Sequence, residues 1–316
     1  MQKTEVLSIR NLSAGHGGKV ILSNLNLSLK KGELVCLMGP NGSGKSTLLH
    51  TIAQIIPSLS GKIEWNVKGS REENLAVVLT DKSFHPDLTA IEMVAMGRYP
   101  HLNWLMQMGE EDIKVINSAF SRTRIEHLRN IRNQTMSDGQ RQMVMIARAL
   151  AQSTPILLLD EPTSHLDLNN RVEIMNLFRS LAREEGKTIL MATHELDLAL
   201  QTADRVWLAD QSGAIKSGVP EDLVLDGSID EVFRLKGFTL KTGKVDHQAQ
   251  PGKRIGLKGE GYSYLWTKNA VERVGIALEE NSNLIIQVTE VNGKILWRLG
   301  DKTIGSIEEL LGIINT

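Results

Sequence analysis

Nine residues, Gly39-Pro40-Asn41-Gly42-Ser43-Gly44-Lys45-Ser46-Thr47, carry the densest chemistry in this sequence. Their G-x-x-x-x-G-K-[ST] spacing stands between an apolar run, Leu34 to Met38, and a helix expected over 48–56. Glycines remove Cβ obstruction, so successive backbone N–H groups can curl around a polyphosphate. The start of the helix adds the positive end of its dipole beneath the phosphates. In that arrangement Lys45 reaches the β and γ phosphates and Ser46 offers a hydroxyl to Mg²⁺. A glycine-rich turn opening an ordinary helix is the plainer reading, but the complete motif in a strand-loop-helix context points to a nucleoside triphosphate.

The second concentration is Ile156-Leu157-Leu158-Leu159-Asp160-Glu161-Pro162. An apolar strand ending in a carboxylate presents Asp160 at the carboxyl edge of a sheet, where a phosphate loop also opens. Asp160 can then hold Mg²⁺, directly or through water. Glu161 is placed to polarise an attacking water, a general-base role worth ~10²–10⁴-fold in rate. Alone, the same residues read equally as two solvated acids at a strand end.

These residues need a frame. Strand-like segments at 6–9 and 20–29 flank a glycine-bearing stretch, Asn11 to Lys19, with turn chemistry. Further strands are expected at 63–67 and 75–79. From about 83 apolar residues recur at helical spacing (Ile91, Val94, Ala95, then Ile113, Ile116, Ala119, Phe120), and Glu110-Glu111-Asp112 puts acids in a first helical turn. An α/β rhythm then resumes, with helices at 139–152, 169–185 and 196–203 and strands at 156–160, 188–193 and 205–209. Apolar strands alternating with helices predict a parallel sheet covered on both faces.

Beyond a linker-like Gln250-Pro251-Gly252-Lys253, a helix is expected at 267–279 and a hairpin at 284–299 around Asn292-Gly293. A last helix follows the capping box Ser306-Ile307-Glu308-Glu309. Tyr262, Tyr264, Trp266 and Trp297 give this tail material for a small core. Its 8 basic and 8 acidic residues from Ala249 onward leave it uncharged.

The whole 316-residue chain has a net charge of −1, so no bulk electrostatic footprint points to nucleic acid or anionic membrane. One cysteine, Cys36, excludes an intramolecular disulfide framework and reads as a small buried hydrophobe. Met1 to Glu5 leads straight into a strand-like segment with no apolar signal core, and no apolar run approaches the ~18 residues of a membrane span. The expectation is a cytosolic protein, or one held at a membrane only by a partner.

Met136-Ser137-Asp138-Gly139-Gln140-Arg141-Gln142, ahead of a helix and the Asp160-Glu161 strand, resembles the signature motif of ATP-binding cassette (ABC) ATPases. The order of phosphate loop, helical insertion, signature, acidic strand and Thr193-His194 matches that family over residues 1 to about 245. The resemblance implies a head-to-tail homodimer enclosing two ATP molecules. Ser137, Asp138, Gly139 and Gln140 of one copy would face the phosphate loop of the other, with Ser137 and Gly139 on the γ-phosphate. Ser137 also fits as a simple N-cap. Asp138 stands where the family more commonly has Gly. Ser164-His165-Leu166-Asp167 matches the loop that couples the two sites, and Asp167 serves equally as a helix cap. His194 matches the switch histidine that registers the γ-phosphate.

Two positions depart from the family pattern. Where the family has a Mg²⁺-ligating glutamine, this chain reads Leu79-Thr80-Asp81-Lys82, so Asp81 takes that place, or Thr80 if the loop slips by one. Asp81 keeps a hard oxygen donor but adds negative charge beside the triphosphate. Where an aromatic residue stacks on adenine, His16 stands nearby, and a loop histidine without a role fits as well.

Val94-Ala95-Met96-Gly97-Arg98-Tyr99-Pro100-His101 and Thr193-His194-Glu195-Leu196-Asp197-Leu198-Ala199 resemble cassettes that power import of iron chelates, haem and cobalamin. The resemblance therefore implies an ATP- and Mg²⁺-dependent importer subunit on the cytoplasmic face of the inner membrane. Its partners would be an integral-membrane permease and, indirectly, a solute-binding protein, with no nucleic acid. Zinc or manganese importers and non-transport ABC ATPases are the alternatives. The implied fold class is α/β: a P-loop ABC ATPase domain over 1–247, with a mostly parallel sheet core, an antiparallel β subdomain and a helical insertion at about 83–152. A C-terminal α/β module of 248–316 follows, with a regulatory domain as one reading of it.

Overall fold

The computed structural model describes residues 4–79, 86–234, 238–239, 244–245, 254–279, 282, 284–291 and 294–314. Its contacts divide the chain into two compact units, Met1–Arg234 and Leu235–Thr316. The first begins with β1 (Glu5–His16), β2 (Lys19–Lys30), β3 (Leu34–Met38), α1 (Lys45–Ile52), β4 (Ser60–Trp65), α2 (Arg71–Asn74) and β5 (Leu75–Val78). Then come α3 (Ala90–Ala95), a 3-10 stretch Met96–His101, α4 (Glu110–Thr123) and α5 (Asp138–Ala151). The alternation closes with β6 (Ile156–Asp160), α6 (Leu168–Glu184), β7 (Thr188–Ala192), α7 (Leu196–Thr202), β8 (Arg205–Ala209), β9 (Ile215–Gly218), α8 (Pro220–Leu225) and α9 (Ser228–Phe233).

Six described strands form the central sheet in the order β5-β6-β7-β3-β8-β9, all parallel except β9. Every residue of β3, β6 and β7 is buried, as a sheet covered on both faces requires. The register decides where the chemistry goes. Asp160 pairs with Ala192, and Ala192 pairs with Leu37, so β6, β7 and β3 finish level with one another. The residues that follow each of them leave the sheet from one carboxyl edge.

A separate antiparallel sheet, β2-β1-β4, packs its leucines against α1 and the central sheet. Here the sequence expectation of a turn from Asn11 to Lys19 is corrected. β1 runs on to His16, because Leu12 and Ala14 continue the buried face. Asn11, at φ 49°, absorbs the register irregularity after Ile9, and the true turn is Gly17-Gly18 at φ 57° and 79°. Between β4 and β5 the chain forms a one-turn helix, α2. Its Ser70 and Glu73 cap each other's backbone N–H groups.

The insertion is helical as expected, with α5 packed on α3 and α4. After α3 the chain tightens into its 3-10 stretch. There the buried Arg98 side chain donates to Asp112 at 2.8 Å, to the Ala151 carbonyl at 2.8 Å and to the Ser153 hydroxyl at 3.2 Å. Cys36 is fully buried in β3, and burial, followed by the Asp204 charge, pushes its thiol up to about 12. It is inert at neutral pH. Among the described residues no helix is long and apolar enough to cross a membrane.

The second unit holds a short antiparallel pair, β10 (Phe238–Thr239) and β11 (Lys244–Val245). It continues with β12 (Arg254–Lys258), α10 (Gly261–Arg273), β13 (Ala277–Leu278), β14 (Ile285–Val291), β15 (Lys294–Leu299), β16 (Lys302–Ile304) and α11 (Ile307–Ile314). These last strands order β13-β12-β14-β15-β16. The expected hairpin appears as the β14–β15 pairing, with Asn292-Gly293 outside the described residues. The expected helix at 267–279 is displaced: α10 ends at Arg273, and Gly275 at φ 82° turns the chain into β13. Ile255, Val271, Ile286, Trp297 and Leu310 form a core of their own. The indole N–H of Trp297 donates to the Thr267 hydroxyl at 2.7 Å inside it.

Candidate functional site

The loop after β3 is shaped by its own lysine. Lys45 Nζ donates to the Gly39 carbonyl at 2.8 Å and to the Pro40 carbonyl at 3.1 Å, which holds Gly39–Lys45 as a closed cradle. Gly39 must be glycine, since a Cβ there would lie 2.2 Å from the Ala209 carbonyl oxygen at the end of β8. Gly42 and Gly44 take φ of 79° and 92°, and Gly44 hands the chain to α1. Ser43 is buried at 3% exposure and its Oγ has no hydrogen-bond partner. Such an orphan costs about 1–3 kcal/mol until an acceptor arrives, so it fits a cradle that receives anionic oxygens. Burial holds the Lys45 ammonium below its usual range, while the charges of Glu161 and then Asp160 act in the opposite direction. Those two carboxylates therefore lie near enough for their charge to act on the lysine.

They come from the neighbouring strands. Asp160, the last residue of β6, is 2% exposed. Glu161 follows in a left-handed conformation, φ 51°, its N–H bonded to the Ala192 carbonyl at 3.0 Å. A non-glycine residue held there costs on the order of 1–3 kcal/mol, a strain concentrated at functional sites. From the end of β7, Thr193 N–H donates to the Leu37 carbonyl at 3.1 Å, and His194 Nε2 donates to Glu161 Oε1 at 2.5 Å. One half-buried cluster thus holds Lys45, Asp160, Glu161 and His194. It can bind a polyphosphate and present an oriented carboxylate to a water molecule.

Ser46, which follows Lys45, is exposed, leaving its hydroxyl open. With the Asp160 carboxylate it supplies two hard oxygens beside the cradle. Among the described residues no group of three or more His, Cys, Asp or Glu could hold a metal by itself. That donor set fits Mg²⁺, which takes one or two protein oxygens and completes its octahedron with water and substrate phosphates. Asp81, expected as a further ligand, lies outside the described residues. His16 ends β1 beside the cradle, where its Nε2 is 3.2 Å from Thr47 Oγ1.

Ser137, Asp138, Gly139 and Gln140 open α5 and are not brought into this cluster within one chain. Ser137 Oγ accepts from Gln140 N–H at 3.2 Å, and the Gln140 side chain accepts from Ser137 N–H at 2.9 Å, a reciprocal cap. Asp138 pairs with Arg141. A Cβ on Gly139 would come 2.9 Å from the His165 carbonyl oxygen, so glycine lets the loop after β6 touch the head of α5. Ser137, Gly139, His165 and Asp167 line a cavity of about 330 Å³ there. Asp167 caps α6, accepting from Asn170 N–H at 2.8 Å. Sequence reasoning missed Arg171, whose guanidinium joins the Leu166 carbonyl to the Glu195 carboxylate, each at 2.7 Å. It carries no motif signal.

Comparison with known proteins agrees with this geometry. A family model described as ABC transporter matches residues 22–164, and one described as iron ABC transporter C-terminal domain matches residues 252–315. The chain is similar to the achromobactin transport ATP-binding protein CbrD of Dickeya dadantii, 36% identical over 236 residues, covering 72% of this chain and 88% of the relative. It is similar over the same shares, also at 36% identity, to the iron(3+)-hydroxamate import ATP-binding protein FhuC of Bacillus subtilis. Among solved structures it resembles the dimeric bacterial ABC transporter cassette MJ0796 at 29% identity and a TM-score of 0.61. That match covers 68% of this chain and 98% of the cassette.

Gly39→Ala should push against the Ala209 carbonyl, costing about 1–3 kcal/mol of stability and more than tenfold in nucleotide affinity. Gly42→Ala meets open space, so its penalty is confined to the unfavourable φ. Thermal melts and fluorescent-nucleotide titrations of the two variants side by side check the contrast. Equal effects would contradict the close approach.

Proposed function

The chain belongs to the ABC transporter ATP-binding proteins, and from that membership we propose that it powers an importer of iron chelates, with iron-siderophore complexes as the principal cargo. It is an ATPase that works as a dimer with a membrane permease. The observation that carries the hydrolytic reading is the meeting of Lys45, Asp160, Glu161 and His194 at one sheet edge. The cargo reading is supported by the iron(3+)-hydroxamate import relative, by the achromobactin transport relative and by the match of residues 252–315 to an iron ABC transporter C-terminal domain. Haem or cobalamin, and then zinc or manganese, are the next cargoes. A non-transport ABC ATPase is less well supported, because both relatives are named for transport or import.

In the reaction, backbone N–H groups of Gly39 to Thr47 wrap the β and γ phosphates, and Ser43 supplies its unspent hydroxyl. Lys45, desolvated and fixed by two carbonyls, meets the charge that builds on the transferring phosphoryl oxygens. Ser46 and Asp160 would hold Mg²⁺, which would supply charge neutralisation at the phosphates. Glu161 accepts the proton of the attacking water as its oxygen bonds to phosphorus and the bond to the β-phosphate oxygen breaks, releasing ADP and phosphate. The 2.5 Å bond from His194 aims that carboxylate.

Ser137 and Gly139 of a second copy close over the γ-phosphate, so that hydrolysis reopens the dimer and moves the permease. Asp138 and Gln140 hold that helix head in shape through their own bonds. By the family resemblance Asp81, or Thr80, would offer Mg²⁺ a further oxygen, and His16, beside Thr47, borders the base-binding side. The protein acts at the cytoplasmic face of the membrane, and a solute-binding protein delivers cargo to the permease from the other side. The C-terminal module is read as a regulatory domain.

Glu161→Gln should bind ATP with near-normal affinity and hydrolyse it at least about 100-fold more slowly. Unchanged turnover would remove Glu161 from its role. In cells lacking the gene, the wild-type chain should restore uptake of radio-iron delivered as a siderophore complex and leave radiolabelled cobalamin uptake unaffected. The reverse pattern overturns the cargo. Truncation before residue 252 should alter the iron-responsiveness of uptake while ATPase turnover of the remaining chain stays within about twofold. Loss of both together would make the module a stabiliser.

A further inference from the structure

Two loops carry the hydrolytic pair. One runs from Glu161 to Asp167, and two of its non-glycine residues, Glu161 and His165, sit in left-handed backbone at φ 51° and 66°. The other runs from Thr193 to Glu195, where Thr193 Oγ1 accepts from Glu195 N–H at 3.0 Å. They meet at the Glu161–His194 bond of 2.5 Å. They meet again through Arg171, in the first turn of α6. Its Nε donates to the Leu166 carbonyl at 2.7 Å, and its terminal nitrogen donates to Glu195 Oε1, also at 2.7 Å. The bonds and the two short chain segments close a ring: Glu161, Leu166, Arg171, Glu195, His194 and back to Glu161.

We propose that Arg171 is a positioning residue that locks the loop after β6 to the loop after β7, so that the Glu161 carboxylate and the His194 imidazole keep one relative geometry through the hydrolytic cycle. The inference rests on reading Glu161 as the general base. The chemistry suits arginine, whose planar fork delivers two bonds in different directions, whereas a lysine ammonium reaches the two sites only as a point charge. The ring also touches the head of α5, because the His165 carbonyl lies where a Gly139 side chain would stand. A shift of α5 is thereby passed to the loop that carries Glu161. Arg171 and Glu195 side chains are 33% and 28% exposed, and an ion pair so open to water adds little to folding. Its loss therefore appears in turnover rather than in stability.

The test measures ATPase kcat and KM, nucleotide affinity and melting temperature of the full chain and its variants. Arg171→Ala should lower kcat about tenfold, with KM and nucleotide affinity within about twofold of wild type. Arg171→Lys should fall between the two. The double variant Arg171→Ala/Glu195→Ala should be no slower than Arg171→Ala alone, because the two groups act as one link. Wild-type kcat in Arg171→Ala, or losses that multiply in the double variant, overturns the proposal. Should Arg171→Ala melt several degrees lower, Glu195→Ala carries the test, since it removes the acceptor and leaves the Leu166 bond in place: reduced kcat at constant KM supports the link and unchanged kcat refutes it. Glu161→Gln runs in the same assay. Normal hydrolysis there would sink the base assignment itself, a result distinct from an inactive link.

Discussion

The site depends on a row of backbone pairing. Asp160, Ala192 and Leu37 stand side by side across β6, β7 and β3, so three strands far apart in sequence finish level. Parallel strands put all their carboxyl ends on one edge, and the loops leaving that edge are where an open α/β sheet binds ligands. A slip of one residue in either pairing would turn Asp160 and the residues around it to the other face. The complete burial of all three strands guards against such a slip, because side chains moved to the opposite, equally covered face would no longer fit the packing there. Stability and chemistry are thus secured by the same register.

The edge is electrostatically and conformationally loaded. A partly desolvated lysine is kept in place by two carbonyls and drawn on by two carboxylates, a buried serine hydroxyl has no protein partner, and Glu161 holds a left-handed backbone. Desolvation of the lysine, the unpartnered hydroxyl and the left-handed backbone each cost stability, and a cradle so built suits a polyphosphate. The signature residues complete no site within their own chain. They form a reciprocally capped helix head beside the His165 loop.

Much of this was legible in the residues because the chemistry dictates them. A phosphate cradle needs Gly39, Gly42 and Gly44 at set distances from Lys45, and a buried strand ending in Asp160 announces both its burial and its exit point. What was illegible depends on partners remote in sequence. Arg171 and Glu195 lie 24 positions apart on different elements, and no periodicity marks them as a pair. His16 was read as a residue of a turn, yet β1 carries it to Thr47, because Leu12 and Ala14 extend a buried face past the glycines. In the tail, helix-favouring residues through Glu279 outlast α10, since Gly275 and the pairing of Ala277 with Arg254 claim the chain for the sheet. Local propensity reads well inside elements and poorly where a tertiary contact decides their ends.

The central claim is that each hydrolytic site is shared, with the cradle of one copy closed by Ser137 and Gly139 of another. Mixing two separately inactive chains tests it most directly: Lys45→Ala, which lacks a working cradle, and Gly139→Asp, which lacks a working signature. A mixed dimer contains one intact composite site, so combining the two should restore ATP hydrolysis that neither shows alone, with a maximum near equal proportions. Absence of recovery at every ratio, with both chains folded and shown to form mixed dimers, would contradict the shared site.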